Sequence, residues 1–384
     1  MNILFTAGNF DDNGGRPSGL AAKMIEVIKN MEGNTLTFMN GGTYDELVDA
    51  AYVGDKYDVI FWFANVPNDK SKIDVKGYAP RALLVSSKRN NDEYEFHELV
   101  MRSLKKRASL TFEFNKNNSK DGKFGIMVFD VLGNQWYKGH DYEAALKAAF
   151  ARIEFLLGVK RITSYPSSVE AMCYFNWFRK NMGKPSVAEL APVPDNYLEL
   201  VTGISEQLYK NVWDLDTRCN KSFPSFKDEK GWVYVGTREV LGKHLSKEDF
   251  VHVSYDGSLA YYGSRKPSVD APIHMELYKS MKEIRYIIHT HCYIEGPNFE
   301  DGYGMTKIPY PCGALQEVEQ ILNVVKSDYM SEDQALGDIT FAAVNEIGHG
   351  SIVMSSSIEY IKNFFELHKY VRRPLPEVQD PERR

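Results

Sequence analysis

At 384 residues the chain is long enough for two domains with full cores, and 43% hydrophobic with 26% charged residues is an ordinary balance for a soluble globular protein. The formal net charge is −6 with both signs interspersed and no basic stripe carrying aromatics, which speaks against nucleic acid as a partner and asks for local positive charge wherever a small acidic substrate binds. Cys173, Cys219, Cys292 and Cys312 stand far apart without CxxC spacing, a pattern that fits reduced thiols rather than a disulfide framework or a zinc ribbon.

The chain opens on MNILFTAGNF, too short an apolar run for a signal segment and without a basic flank, and nothing later approaches a membrane-spanning length. A cytoplasmic protein with no membrane partner is expected. NILFTAG, NTLTFMN, YDVIFWFANV, RALLVSS and KFGIMVFDV read as buried strands, being short apolar runs rich in β-branched and aromatic residues. Amphipathic stretches lie between them: SGLAAKMIEVIKNM, YDELVDAA, EFHELVMRSLKK and finally DYEAALKAAFARIEFLL. This alternation predicts an α/β domain over 1–163, a doubly wound parallel sheet of flavodoxin- or Rossmann-like type with right-handed crossovers and an open strand order.

After the first strand comes DDNGGRPSGLAAKM, where a glycine-rich turn opens a helix and can offer backbone N–H groups to an anion. Gly14, Gly15, Arg16 and Ser18 are the residues of that candidate anion loop. The stretch is neither GxGxxG nor GxxxxGK[ST], and a βα loop with a capped helix leaves the same trace. YDVIFWFANVPND ends a strand at the carboxyl edge, where open α/β sheets bind ligands, so a second small-molecule site and an oligomerisation module are both open readings.

From 164 to 196 proline, serine and glycine concentrate around one helical segment, VEAMCYFNWFRKNM, as in an interdomain connection. The remainder, 197–384, begins with the helical YLELVTGISEQLYKNVWDLDTR and continues with GWVYVGT and FVHVSYDGSLAYYG, strands of which the second carries a DG turn. Then comes RYIIHTHCYI. In a strand, residues i and i+2 share a face, so His289 and His291 project side by side while Thr290 points away. Two imidazoles on one rigid face suit a divalent metal if a third ligand arrives from elsewhere; a polar edge strand is the plainer reading.

Upstream, KPSVDAPIHMELYKSM places Pro272 just inside a helix start, Asp270 near its N-terminus and His274 one turn on. Downstream, NEIGHGSIVMSSSIEYIKNFFELH reads as a strand running into a helix, with Ser356 and Glu359 in capping-box spacing and His349 before Gly350. Pro267-Ser268-Val269-Asp270, His274, His289-Thr290-His291 and His349-Gly350, in this order, resemble the class II aldolase/adducin family of zinc-dependent sugar-phosphate aldolases and epimerases. The resemblance covers roughly 197–375, about half of the chain, and the N-terminal half is not part of it.

The resemblance implies a class II aldolase-like α/β/α domain with one zinc per chain on His289, His291 and His349, leaving an open position for an ene-diolate formed from an anionic sugar. It implies that Asp270 moves the proton or approaches the metal, although a helix N-cap is the structural reading of that residue. His274 is expected to be structural. Asn220, Ser222, Thr237 and Ser268 are the implied phosphate cradle, with Arg238 and Val269 as departures that suggest an anionic substrate of altered shape. Relatives form cyclic tetramers in which a C-terminal tyrosine reaches a neighbour's site, which points to Tyr370 and to a homotetramer. No second acid is placed; Glu295, Asp301 and Glu317 are candidates. Aldol cleavage or formation is the expected reaction. A sugar-phosphate 4-epimerase and a non-catalytic adducin-like scaffold are its rivals.

Overall fold

A computed structural model describes residues 1–79, 81–162, 180–181, 191–211, 222–237, 245–255, 259–262, 265, 267–299, 304–310 and 312–372. The chain divides into two compact units, one built on Met1–Lys160 and the other holding the described residues from Lys180 onward. Among the described residues, no helix is long and apolar enough to cross a membrane.

The first unit runs β1 (Asn2–Asp11), α1 (Gly19–Lys29), β2 (Thr35–Thr43), α2 (Tyr44–Tyr52), β3 (Val59–Asn65), α3 (Val75–Tyr78), β4 (Leu83–Asn90) and α4 (Phe96–Lys105). It continues with β5 (Leu110–Lys120), β6 (Lys123–Asp130), β7 (Gln135–Gly139) and α5 (Tyr142–Ile162). Its sheet has the order β2-β1-β3-β4-β5-β6-β7, parallel through β5 and antiparallel over the last two pairs. β1 lies inside this sheet with both faces covered, so its apolar run is nearly continuous, and Phe5 stacks on its cross-strand partner Phe61 at 5.1 Å. α1 buries Ala21, Met24, Ile25 and Ile28, the one-sided stripe of an amphipathic helix.

Two strands of this unit go beyond what periodicity reveals. β5 ends in the exposed run NKNNSK, and β7 is five residues long and only half buried, so neither shows the apolar signature of a buried strand. Asp121 and Gly122 join β5 to β6 with φ of 51° and 72°, the left-handed pair that a tight hairpin requires.

The second unit contains β8 (Lys180–Asn181), α6 (Asp195–Asn211), β9 (Ser222–Lys227), β10 (Val233–Gly236), β11 (Phe250–Tyr255) and β12 (Leu259–Tyr262). After these come α7 (Ala271–Ser280), β13 (Tyr286–Thr290), β14 (Tyr293–Glu295), α8 (Gln316–Asp328), β15 (Phe341–Glu346), β16 (Gly350–Ser355), α9 (Ile358–Leu367) and β17 (Lys369–Val371). Eight strands form one sheet in the order β15-β16-β13-β9-β10-β11-β12-β8, and β14 pairs separately with β17. β13 sits inside this sheet between β16 and β9, both antiparallel to it. Ile287 and Ile288, both 0% exposed, anchor it, each burial contributing roughly 1.5–3 kcal/mol. Tyr197 of α6 is fully buried, and its hydroxyl reaches the carbonyl oxygens of Ser225 at 2.9 Å and Ile287 at 3.1 Å, tying the helix to β9 and β13.

Three local expectations change. The segment 341–355 is two paired strands with a turn between them, not one strand, because Gly348 at φ 68° and the 349→346 backbone hydrogen bond reverse the chain. α9 is capped by Ser357, which accepts the Glu359 N–H, one position after the expected Ser356; the Ser355 hydroxyl accepts the Ser357 N–H and sets the chain's entry. Lys180 and Asn181, expected at a helix end, pair with β12. The DG turn at 256–257 and the expected helix beyond Asn211 lie outside the described residues.

Candidate metal centre

The HTH stretch behaves as strand geometry demands. His289 is the penultimate residue of β13 and His291 follows it, their ring centroids 5.4 Å apart, while Thr290 faces the other way and meets the Ser351 hydroxyl at 3.2 Å. Phe223 on β9, in register with His289, lays its ring 5.7 Å from that imidazole and 5.6 Å from His291, making an aromatic wall beside both.

His349 arrives in the turn between β15 and β16, with its ring 4.7 Å from His289 and 5.4 Å from His291. The glycine after it is a matter of space. A Cβ at Gly350 would lie 1.9 Å from the Thr290 carbonyl oxygen and 2.8 Å from the His291 Cα, so the two histidine-bearing segments approach only because residue 350 has no side chain. The turn is pinned by Gly348 N–H donating to the Tyr293 hydroxyl at 3.0 Å and Ile347 N–H donating to Thr306 Oγ1 at 2.9 Å.

Asp270 stands at the N-cap position of α7, yet its side chain makes no cap hydrogen bond. Its Oδ2 accepts from the Ser268 hydroxyl at 3.3 Å and lies 3.5 Å from His289 Nδ1. Each of Asp270, His289, His291 and His349 is at most 2% exposed, and one ligand-type atom from each lies within 4.8 Å of all the others. Asp270 Oδ1, both ring nitrogens of His289 and Nε2 of His349 have no hydrogen-bond partner among the described residues. Left so, each buried polar group costs about 1–3 kcal/mol. Three imidazoles and a carboxylate are the donor set of a zinc-type centre, in which ligand bonds of roughly 2.0–2.2 Å set neighbouring donors a little over 3 Å apart. The residues therefore fit a single divalent ion.

Two acids add to this cluster. Glu317, in the first turn of α8, places both carboxylate oxygens at 3.0 and 3.1 Å from His349 Nδ1. Glu346, the last residue of β15, sets Oε2 3.2 Å from His289 Nε2, on the ring nitrogen opposite the Asp270 side. Both acids are 1% exposed. Burial would raise the Asp270 carboxyl, but His289, 3.5 Å away, and the charges of the His349 and His291 rings hold it well below the usual carboxylate range. Burial would lower His289, but Glu346 and Asp270 lift it to about 9. His349 is likewise lifted well above an ordinary imidazole, against burial, by Glu317 and Cys312. Burial pushes Glu317 up to about 7 against the pull of His349, with Glu346 adding to the rise.

His274 stands beside the cluster, its ring centroid 6.3 Å from that of His289. Its Nδ1 pairs with the Ser225 hydroxyl at 2.8 Å, which also meets Tyr278, and burial holds its ring down at about 3. Thr237 and Ser268 lie together: residue 237 bridges to Pro267, and Ser268 N–H donates to the Gly236 carbonyl. Ser222 is placed by its backbone pairing with Thr290, while Asn220, Arg238 and Asp301 lie outside the described residues. Tyr370 is not brought to the histidines of its own chain: it pairs with Ile294, its ring packs on Phe365, and its hydroxyl faces Thr290 and Ser351 on the opposite side of β13. Glu295 is a surface partner of Lys369. In the first unit, of the candidate loop Gly14, Gly15, Arg16 and Ser18, the Gly15 and Ser18 N–H groups are taken by the Gly42 carbonyl and Asn40 Oδ1, and the Ser18 hydroxyl caps α1.

The reading from sequence missed Glu346, Phe223 and Cys312. Glu346 follows Val344 and Asn345 in what reads as a strand end, and only the pairing of β15 with β16 buries it.

Residues 199–294 match the family model for the class II aldolase and adducin N-terminal domain. Among solved structures, the chain is similar to an L-fuculose 1-phosphate aldolase, with 13% identity over 47% of this chain and 84% of that one, TM-score 0.33. It is also similar to YgbL, a putative aldolase/epimerase/decarboxylase from Klebsiella pneumoniae, with 15% identity over 45% and 86%, TM-score 0.33. A third likeness is to a DNA/pantothenate metabolism flavoprotein from Streptococcus pneumoniae, with 15% identity over 40% and 97%, TM-score 0.33.

Proposed function

We propose, from the match of residues 199–294 to the class II aldolase and adducin N-terminal domain, that the chain is a zinc-dependent aldolase acting on a phosphorylated or otherwise anionic sugar. One observation carries the proposal: Asp270, His289, His291 and His349 converge in a buried cluster, with one ligand-type atom of each within 4.8 Å of all the others. A bound zinc ion would act as a Lewis acid, stabilising negative charge on the substrate oxygens as the carbon–carbon bond breaks or forms.

The chain's own residues divide the remaining work. His289, His291 and His349 would hold the ion. Asp270 handles the proton: its neighbours keep it ionised, Ser268 steadies Oδ2, and Oδ1 is left to accept. Phe223 shields the imidazoles from water on one side. Thr237 supplies a hydroxyl for the anionic end of the sugar, with Asn220, Ser222, Arg238 and the adjacent Ser268, whose own hydroxyl proton is held by Asp270, as its proposed companions. We take residues 1–163 and 197–384 as separate domains joined by 164–196, in a cytoplasmic homotetramer, with Tyr370, which is buried within its own chain, left out of the site.

A second reading, a sugar-phosphate 4-epimerase, is favoured by Glu346. It supplies a second buried carboxylate on the opposite ring nitrogen of His289 from Asp270. The zinc-loaded protein should be incubated with a panel of ketose phosphates while aldehyde release and stereochemical interconversion are followed separately. Aldehyde release supports the aldolase, interconversion without release supports the epimerase, and neither, from a metal-loaded protein, refutes both.

A further inference from the structure

An imidazole has two nitrogens, and a metal centre needs the correct one turned inward with its lone pair free. In His349 that choice is made by a carboxylate the ring cannot avoid. Glu317 presents both oxygens to Nδ1, at 3.0 and 3.1 Å, from a position 1% exposed, against a ring that is 0% exposed. Turning the ring over would set a C–H against both oxygens and bury the carboxylate without its donor, at a steep desolvation cost. The remaining nitrogen, Nε2, is buried and has no hydrogen-bond partner among the described residues.

Both partners are held from behind. Glu317 lies in the first turn of α8, where its N–H donates to the Ala314 carbonyl and the helix dipole favours a negative charge. α8 in turn packs against β15, the strand that leads into the His349 turn. That turn is fixed by the Tyr293 and Thr306 hydroxyls. Glu346 differs: its Oε2 lies 3.2 Å from His289 Nε2 but has no hydrogen-bond partner among the described residues.

We propose that Glu317 is a positioning residue of the metal centre: its carboxylate accepts the Nδ1–H of His349 and so fixes the tautomer that offers Nε2 to the ion. This rests on the reading of the cluster as a metal site. A carboxylate behind a ligating histidine raises the basicity of the ring and removes its rotational freedom, and losing such a partner typically weakens metal binding 10–100-fold. In this role Glu317 needs no contact of its own with the ion. It acts through His349.

The test uses the full-length chain, stripped of metal, with zinc affinity measured by competition against a chromogenic chelator and coordination read from the visible spectrum of the cobalt(II) form. Glu317→Ala should bind zinc about 10–100-fold more weakly than wild type. Glu317→Gln, which keeps an acceptor oxygen but no charge, should lose less than about tenfold and retain the wild-type cobalt spectrum. Should the alanine variant fail to fold, the glutamine variant carries the test. Zinc binding by Glu317→Ala within twofold of wild type overturns the proposal. So does a changed cobalt coordination in Glu317→Gln, which would make Glu317 a ligand. Failure of the wild type itself to bind zinc instead removes the metal reading beneath it.

Discussion

Gly350 gives the centre its sharpest mechanical test. An added Cβ would meet the Thr290 carbonyl oxygen at 1.9 Å, whereas real Cβ contacts essentially never fall below 3.0 Å, so Gly350→Ala must drive the backbones of β13 and β16 apart by about 1.1 Å. The obstacle is backbone and cannot rotate away. Overpacking of this kind costs about 1–3 kcal/mol, which for a unit of this size lowers Tm by roughly 2–10 °C. The effect on metal should be larger in proportion, because His291 and His349 flank the contact and ligands must be held to within about 0.5 Å. At least about tenfold weaker zinc binding is expected. Calorimetry with and without zinc, together with chelator competition, would measure both quantities. Gly337→Ala is the control, since a Cβ there meets nothing within 4 Å. Wild-type zinc affinity in Gly350→Ala, with an unchanged Tm, would refute the close approach and with it the physical reason for the His-Gly pair.

Other consequences follow from the same geometry. Asp270→Asn should keep zinc yet slow aldol turnover by about 10²–10⁴-fold, measured as initial rates on whichever sugar proves active; unchanged turnover would leave Asp270 without a proton-transfer role. Tyr197→Phe should cost about 1 kcal/mol in urea unfolding by removing the hydroxyl that ties α6 to β9 and β13. His274, held at about 3 in the fold against an ordinary 6.5, stays neutral when buried and gains a proton on unfolding. Its stabilising effect is thus fully present above about pH 6.5 and is lost as pH falls toward 3, at up to about 1.4 kcal/mol per unit. Urea midpoints of His274→Gln should consequently fall less steeply than wild type between pH 6 and 4; parallel slopes would show that the ring is not buried neutral.

Much of the centre was readable because its parts obey short-range rules. His289 and His291 share a face by strand alternation, Asp270 precedes a helix announced by Pro272, and a histidine followed by glycine marks a close backbone approach that the Thr290 carbonyl explains. The outer carboxylates were harder. Glu317 was one of three candidates for a second acid, with nothing in the sequence to prefer it, and Glu346 looks like a polar strand end; only the packing of α8 and β15 beside the histidines singles them out. In the first unit the central strands were legible from continuous apolar runs, while β5, half exposed, and the short β7 were not. The glycine-rich loop after β1 offers a parallel lesson: two of its donors, the Gly15 and Ser18 N–H groups, are taken by Gly42 and Asn40, something composition cannot disclose.

The centre is tested most directly by metal analysis of the purified protein beside a His289→Ala, His291→Ala double variant. About one zinc per chain in the wild type, absent from the variant, together with a Tm that rises on adding zinc only in the wild type, is the expected result. A wild-type protein that carries no metal after zinc incubation, and whose Tm does not move, would contradict it and leave the fold as a scaffold.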